Sequence, residues 1–525
     1  MNIYKYKSLI AFGLFLFSVP AFSQIAEDAL MLGQSTVTGT ARFQAIGGAG
    51  FALGGDASAA ALNPAGLGFY NRSSVVLTPG FDILNTSTDY LGTSADAFTT
   101  RGNIANFGIV INNTKDGLIP SDWRGGSFAV TYNRLNSLNF ESEYGPGNSD
   151  ASIIDEFVLQ ANGIPSSELQ ANIDDGQIIG YPEAAYLNFL INPDASGNNY
   201  IASIPADATT IQSGNLSTSG QLSQWNFAYG GNYKDKLYLG ASIGFRGFSY
   251  QRESEYREEV VYSQDYIDFI NEGNYFFPVE GGNVSVDYVN YNQLNEVVQI
   301  NGTGINANLG IIYRPINELT VGLSYQSPTF YSIRSEETFD LASEVLGFLE
   351  TDNPADAIDI YTDDPVLGNR FVNEYTLSTP SRTGVGLAYF FEKAGFLTLD
   401  AEYVNYQKNQ FSSNQESLSD VNNNVDAIYK PVINTRVGGE FRYNILRFRA
   451  GYAFYDDPTQ FANDNLDRDR SVISGGIGIN VNSFFADLTV SHTQYQSDFA
   501  PYANGPYIPQ ENTITRTLLS LGFNF

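Results

Sequence analysis

The 525-residue chain has no cysteine, one histidine, two methionines and two tryptophans. With His492 as the only imidazole and no thiol, most catalytic triads and Cys/His zinc sites cannot be assembled, so enzymatic readings fare poorly. Paired carboxylates occur throughout, but no spacing singles out a glycosidase-like pair. The missing cysteine does not decide the compartment, because exported chains exist both with and without disulfides. Basic residues are also few: 27 Lys and Arg stand against 57 Asp and Glu, a formal net charge of -30. Nucleic acid is excluded as a partner on that balance. Past the first two dozen residues there is no uncharged apolar run of about 18 residues, which excludes a helical membrane protein.

At the N-terminus Lys5 and Lys7 precede an apolar run from Leu9 to Val19, and Ala21-Phe22-Ser23 offers a small-x-small cleavage site. Residues 1–23 read as a secretory signal, with a mature chain starting at Gln24. The chain is rich in strand formers: 50 Gly, 37 Phe and 34 Tyr, with only 16% charged residues.

Strand after strand alternates one apolar with one polar or small face. From Leu237 the odd positions are Leu237, Leu239, Ala241, Ile243 and Phe245, and the even ones are Tyr238, Gly240, Ser242, Gly244 and Arg246. The split recurs at Ile473, Ile477, Ile479 and Val481, at Phe484, Ala486, Leu488 and Val490, and at Leu519, Leu521, Phe523 and Phe525. His492 shares the parity of Leu488 and Val490, a structural position. In a soluble sandwich such a face meets a second sheet; in a membrane barrel it meets lipid. The opposite face decides between them, because it carries Asp400, Glu402, Arg436, Glu440, Arg442, Arg447, Arg449, Asp487 and Arg516. Charges of both signs on neighbouring strands suit a polar lumen, where they pair with one another, with water or with a plug.

Short turns, such as Lys234-Asp235-Lys236, Glu392 to Gly395, Asn444-Ile445 and Asn482-Ser483, alternate with long connections. Short turns belong to the periplasmic side and long loops to the outside. The segmentation predicts fourteen strands, from 73–90 to 513–525, with both chain ends on the periplasmic side. The fold class is therefore all-β: a transmembrane antiparallel barrel of about 14 strands across residues 73–525, in the outer membrane of a Gram-negative bacterium. The long extracellular loops fall at 144–221, 253–294 and 338–372.

Residues 24–72 precede the first strand and contain "DASAAALNPAGLGFYN", Asp56 to Asn71. Its small residues suit close packing in a confined lumen, Asn63-Pro64 stops a helix, and the glycines permit tight turns. Phe43, Ile46, Phe51, Leu53 and Leu62 are too apolar for a solvated tail, so the segment reads as an N-terminal hatch. Around "GGDASAAALNPAGL", Gly54 to Leu67, with Asn63, Pro64 and Ala65 as hatch motif, and around the terminal "LGFNF", the chain resembles the FadL/TodX outer-membrane transporters of long-chain fatty acids and aromatic hydrocarbons. The resemblance implies extracellular helices that capture a hydrophobic ligand and sideways release through a defect in the third strand. Gly125-Gly126 and the interruptions at Asn133-Arg134 and Asn136-Ser137 are candidate positions for that defect.

Four helical stripes stand out in the loops. Ser152 and Asp155 form a capping pair ahead of Ile153, Ile154, Phe157 and Val158; Pro182 opens a helix carrying Tyr186, Phe189 and Leu190; Tyr266, Ile267 and Ile270 mark a third; Leu341, Val345, Leu346 and Leu349 mark a fourth. The candidate ligand-capture residues are Phe157, Phe189, Leu190, Ile267, Ile270 and Leu346. The acidic stretches Asp420–Asp426 and Asp456–Asp469 lack the glycine and spacing of an EF-hand and read as solvated loops. No cofactor and no metal site is expected. The partners are a hydrophobic small molecule, outer-membrane lipid and lipopolysaccharide, and the barrel assembly machinery during insertion of a monomer. Two alternatives stay open: a protein-docking barrel like the secretion-machinery relatives of the family, and a haem-uptake receptor, for which only His492, Met31 and tyrosines could donate.

Overall fold

The computed structural model describes residues 28–34, 36–114, 121–272, 276–279, 282–351, 358–362, 365–415, 417–460 and 466–525. The expected leader, residues 1–23, lies outside them. Among the described residues fourteen strands succeed one another around a closed antiparallel wall: β1 Ser74–Tyr90, β2 Thr93–Thr114, β3 Trp123–Ser137 resumed as Phe140–Ser149, β4 Thr209–Tyr233, β5 Leu237–Val261, β6 Gly282–Ile316, β7 Leu319–Gln326 resumed as Phe330–Thr351, and β8 Phe371–Ser378 resumed as Arg382–Phe391. Then come β9 Gly395–Asn405, β10 Pro431–Tyr443, β11 Leu446–Tyr455, β12 Arg470–Val481, β13 Phe484–Phe499 and β14 Ile508–Asn524. Pairing of β1 with β14, from Ser74↔Asn524 to Thr88↔Gln510, closes the cylinder. Closure leaves neither terminal strand with an unpaired edge, as a sheet that spans a bilayer requires.

The two faces divide as the periodicity requires. Leu239, Ile243 and Phe245 are exposed on the outside, as are Ile473, Ile477, Leu488, Val490, Leu519, Leu521 and Phe523. Tyr238, Ser242 and Arg246 are buried on the inside together with Asp400, Glu402, Arg436, Glu440, Arg449 and Asp487. His492 sits on the outer face, its Nδ1 3.0 Å from Thr515 Oγ1.

The strands run well beyond the expected membrane span. β6 covers 35 residues, and β4 and β5 cover 25 each, so parts of the loops expected at 144–221, 253–294 and 338–372 are wall that stands above the bilayer. Their outward residues there, such as Glu253, Asn301 and Arg334, are polar, so the hydropathy contrast that marks a strand in lipid is lost while the ladder continues. For the same reason the fourth expected helix is not one. Leu341, Val345 and Leu346 lie in β7, opposite Leu294, Val289 and Tyr288 of β6. A helix there would leave the β6 edge unpaired; instead Leu341 and Val345 point inward and are fully buried.

Candidate functional site

The N-terminal segment lies within the lumen and is bonded to the wall all the way round. Helix α1, Ala41–Ala45, has Thr40 as its N-cap; α2, Ala59–Leu62, ends at Asn63, and Pro64 opens a 3-10 turn to Phe69. Proline suits that first position, where its missing N–H has no partner to lose. Asn63 is fully buried: its Nδ2 donates to Phe51 O at 2.6 Å and to Leu323 O of β7 at 3.3 Å, while its Oδ1 accepts from Ala65 N at 3.2 Å. The segment's backbone is further held by wall hydroxyls: Ser520 on Ala41 N, Thr489 on Ala41 O, Ser474 on Gly47 N and Thr320 on Ala52 O. Close approach depends on lumenal glycines. A Cβ on Gly310 would sit 1.9 Å from Asn63 Oδ1, one on Gly322 1.9 Å from Phe51 O, and one on Gly451 2.0 Å from Gly47 N.

Charged side chains complete the contact. Asp400 Oδ2 accepts from Gly50 N at 2.6 Å and Phe51 N at 2.9 Å. Arg42 lies 3.6 Å from Glu440, which also binds Arg449 at 2.7 Å, and Arg449 binds Asp487 at 2.6 Å. Arg436 pairs with Glu402 at 3.1 Å. The lumenal charges are thus paired across strands or turned onto the backbone of the segment, which is how buried ions are tolerated.

Above this polar layer the lumen becomes apolar. Leu222, Phe248, Val298, Ile300, Ile333, Leu377 and Phe411 pack in one buried apolar cluster. Ala29 and Leu32, from helical residues 28–33, pack in it. A further helix, Ser419–Ile428, inserts Val421 and Val425 at i, i+4 into the same cluster. The stretch Asp420–Asp426 therefore belongs to an amphipathic helix and is no solvated loop; its two valines outweigh the acidic residues on the other face.

The wall is interrupted at the third strand. β2 pairs β3 from Thr114↔Gly125 to Asn106↔Asn133 and no further. Beyond that point, among the described residues, Thr93–Ala105 of β2 pairs with β1 alone. β3 has an irregularity against β4 between Arg134 and Asn136, breaks at Leu138-Asn139, and resumes paired to β4 only. A second interruption, at Pro328 of β7 and Pro380 of β8, is bridged by backbone: Thr379 N donates to Thr329 O at 3.0 Å. Among the described residues the third-strand break has no such bridge to β2. From inside, a cavity of about 80 Å³ bounded by Ser58, Ala61 and Leu62 of the segment reaches Asn133, Leu135 and Asn136 at the break. Beside the break, a cavity of about 420 Å³ lies between Ala95 of β2, Glu141 to Gly145 of β3 and Ser213 to Ser217 of β4.

A family model described as outer membrane protein transport protein (OMPP1/FadL/TodX) matches residues 19–498. The chain belongs to the OMPP1/FadL/TodX family. Family membership places it in the outer membrane of a Gram-negative bacterium, among transport channels for hydrophobic compounds. Solved relatives share the fold at low identity. A Pseudomonas aeruginosa FadL homologue has 13% identity and a TM-score of 0.53, covering 94% of this chain and 100% of its own. The P. putida toluene transporter TodX has 13% identity and a TM-score of 0.52, covering 93% and 99%. No curated protein matches in sequence.

In this FadL/TodX member the extracellular mouth carries a cap built from α3 Ile153–Ala161, α4 Ser166–Asp174, α5 Tyr181–Leu187 and the strand pair Ile191–Pro193 with Tyr200–Ala202. α3 begins at the expected Ser152, whose Oγ accepts from Ile154 N at 3.1 Å. Its reciprocal partner is not Asp155 but Glu258 of the β5 extension, which accepts from Ser152 Oγ at 2.5 Å, Ile153 N at 3.2 Å, Tyr256 Oη at 2.7 Å and Asn292 Nδ2 at 2.7 Å. Glu258 stands above the membrane, and burial pushes its carboxyl above the ordinary range although these four donors act against the shift. Tyr181 Oη donates to Glu296 of β6.

The candidate capture residues are only partly brought together. Phe157 and Leu190 are fully buried in one core with Ile154, Val289, Leu341 and Val345, and Phe189 packs against it. They form the cap's own interior. Ile267 is half-buried on a separate helix, Gln264–Glu272, and Leu346 lies on β7, opposite Tyr288 of β6. The side chain of Ile270 falls outside what is described. The residues that sequence periodicity passed over are Leu159, Ile179, Leu187 and Ile201, exposed apolar side chains of the cap. An exposed leucine on a helix has no pattern of its own, so only the folded cap distinguishes it from core.

Proposed function

We propose that this protein takes up long-chain fatty acids or comparable hydrophobic small molecules, capturing them at the cap and releasing them sideways through the third-strand break. Residues 28–72 serve as the hatch that closes the lumen to polar solutes. The observation that carries the reading is the unpaired β2 edge at Thr93–Ala105 beside the third-strand break, whose Asn133, Leu135 and Asn136 line a lumenal cavity. Capture begins at Leu159, Ile179, Leu187 and Ile201, and entry requires the cap to move, since Phe157 and Leu190 are shut inside it. Inside the lumen the apolar cluster opens to receive the chain of the ligand once Ala29 and Leu32 give way. Each methylene removed from water is worth ~0.8 kcal/mol, so a side exit into lipid spares a long chain the cost of crossing the periplasm.

An acid head group is favoured over a plain hydrocarbon. Arg246 donates to Gln224 and Tyr331, Arg382 donates to Gly33 O, and among the described residues neither forms an ion pair with a carboxylate. Both line the lumenal cavity, together with Leu222 of the apolar cluster. The protein-docking alternative gives no reason for an apolar cluster inside an otherwise charged lumen.

The test is to fill the exit from within. Leu135→Trp and Asn136→Trp place bulk where the cavity meets the break. Uptake of a labelled long-chain fatty acid is expected to fall to background, while the barrel stays heat-modifiable and surface binding persists. Uptake that continues with the break sealed would exclude lateral release.

A further inference from the structure

We propose that the carboxylate of Asp82, gripped by Arg134 and Arg516, is a clamp that positions the third strand and sets the width of the side gap; its consequence for uptake rests on the transport reading above.

The ladder between β2 and β3 stops at Asn106↔Asn133, and the next residue of β3 is Arg134. At that point the backbone no longer ties the two strands, and a side chain takes over. Arg134 reaches across β2 to β1, where its Nη1 donates to Asp82 Oδ2 at 3.0 Å, while Nη2 donates to Ser137 Oγ at 2.8 Å on the near side of the break. From the other direction Arg516 of β14 donates through Nε to Asp82 Oδ1 at 2.8 Å, and Asn103 of β2 donates to Oδ2 at 3.3 Å. One carboxylate therefore collects four strands, β14, β1, β2 and β3, at the lower margin of the gap.

Burial makes this grip strong. The Asp82 side chain is 0% exposed and that of Arg134 7%. Charge-assisted hydrogen bonds shielded from water are about twice as strong as neutral ones, and an arginine fork fixes direction as well as distance. Above the clamp the resumed third strand is tied back by two hydroxyls, Thr88 Oγ1 to Glu143 O at 2.6 Å and Thr93 Oγ1 to Pro146 O at 2.8 Å, and by a loose, solvent-exposed ion pair of Arg101 with Glu141 at 3.9 Å. The clamp is thus the last firm attachment of β3 to the β1–β2 hairpin before the gap. At the Pro328 and Pro380 interruption backbone bonds span the break, and no ionic device is required there.

The absence of cysteine permits a direct measurement in the full-length barrel. Spin labels at Thr100 of β2 and Ser219 of β4, both exposed, span the gap, and a second pair at Ser249 and Asn301 spans an intact ladder as reference. Arg134→Gln removes the reach of β3 yet leaves Asp82 compensated by Arg516, so the barrel should still form and remain heat-modifiable. The expected result is a longer and broader distance distribution across the gap, an unchanged reference pair, and a several-fold change in fatty-acid uptake. Arg134→Lys should restore much of the original distribution, and Arg516→Gln should alter it less, because β1 and β14 keep their backbone ladder. A changed distance with unchanged uptake would uphold the clamp and sink the gap as an exit. An unchanged distance in a folded Arg134→Gln barrel, or an equal effect from Arg516→Gln, would overturn the clamp.

Discussion

Removing residues 24–66 raises the single-channel conductance of the barrel on the order of tenfold or more, since a wall of this circumference encloses a lumen wide enough for water once nothing fills it. The wall does not need the segment for its own ladder: its strands pair with one another through backbone bonds in which residues 28–72 take no part. Cells carrying the truncated barrel should become sensitive to polar antibiotics that the intact protein excludes. The milder exchange of Asn63 and Pro64 together loses the bonds to Phe51 O and Leu323 O, worth about 1–3 kcal/mol where the groups left behind are buried. It should give frequent, brief openings in planar bilayers where the truncation gives a steady open level. Equal conductance for truncated and intact barrels would mean that the lumen is filled from elsewhere.

The second large effect concerns assembly. Deleting Leu521 to Phe525 is expected to leave unfolded chain in the periplasm and no heat-modifiable barrel in the outer membrane. The deleted stretch holds the pairs Leu77↔Leu521, Val76↔Gly522, Val75↔Phe523 and Ser74↔Asn524, and the reciprocal backbone bonds between Phe525 and Ser73. Without it, β1 presents unpaired N–H and C=O groups to hydrocarbon, each costing several kcal/mol. Normal quantities of folded barrel after this deletion would show that closure is secured by the upper half of the β1–β14 ladder alone.

Much of this architecture is legible in the sequence because a membrane barrel obeys a two-residue rule along its whole wall. Leu239 and Ser242 sort to opposite faces on parity alone, and the lumenal charges from Asp400 to Asp487 announce a wet interior. The fourteen strands emerge from the turn pattern, and the helices opening at Ser152 and near Pro182 emerge from their caps. The rule fails where lipid ends. Above the membrane, β6 and β7 keep their ladder while the outward face turns polar, so Leu341, Val345 and Leu346 look like a helical stripe; the hydrogen-bonding partner that makes them strand lies some fifty residues away. The helix Ser419–Ile428 is hidden for the opposite reason, since two valines among acidic and amide residues matter only once a lumen exists to receive them. The side gap is legible only as a run of candidates around residues 125–137. Which interruption remains open is set by whether a neighbouring strand bridges it, and the Pro328 and Pro380 pair shows that an equal sequence signal can be closed.

The lumenal glycines that admit the N-terminal segment also constrain the order of events in biogenesis. Contacts at Gly310, Gly322 and Gly451 leave no space even for a methyl group. The segment bends through the lumen and bonds to strands on every side, so threading it into a finished cylinder would require drawing polar backbone past that whole surface. The simpler course is for the sheet to wrap around it. The N-terminal segment is then enclosed as β14 closes on β1 rather than drawn in afterwards, while the ladder itself closes through its own strand pairing.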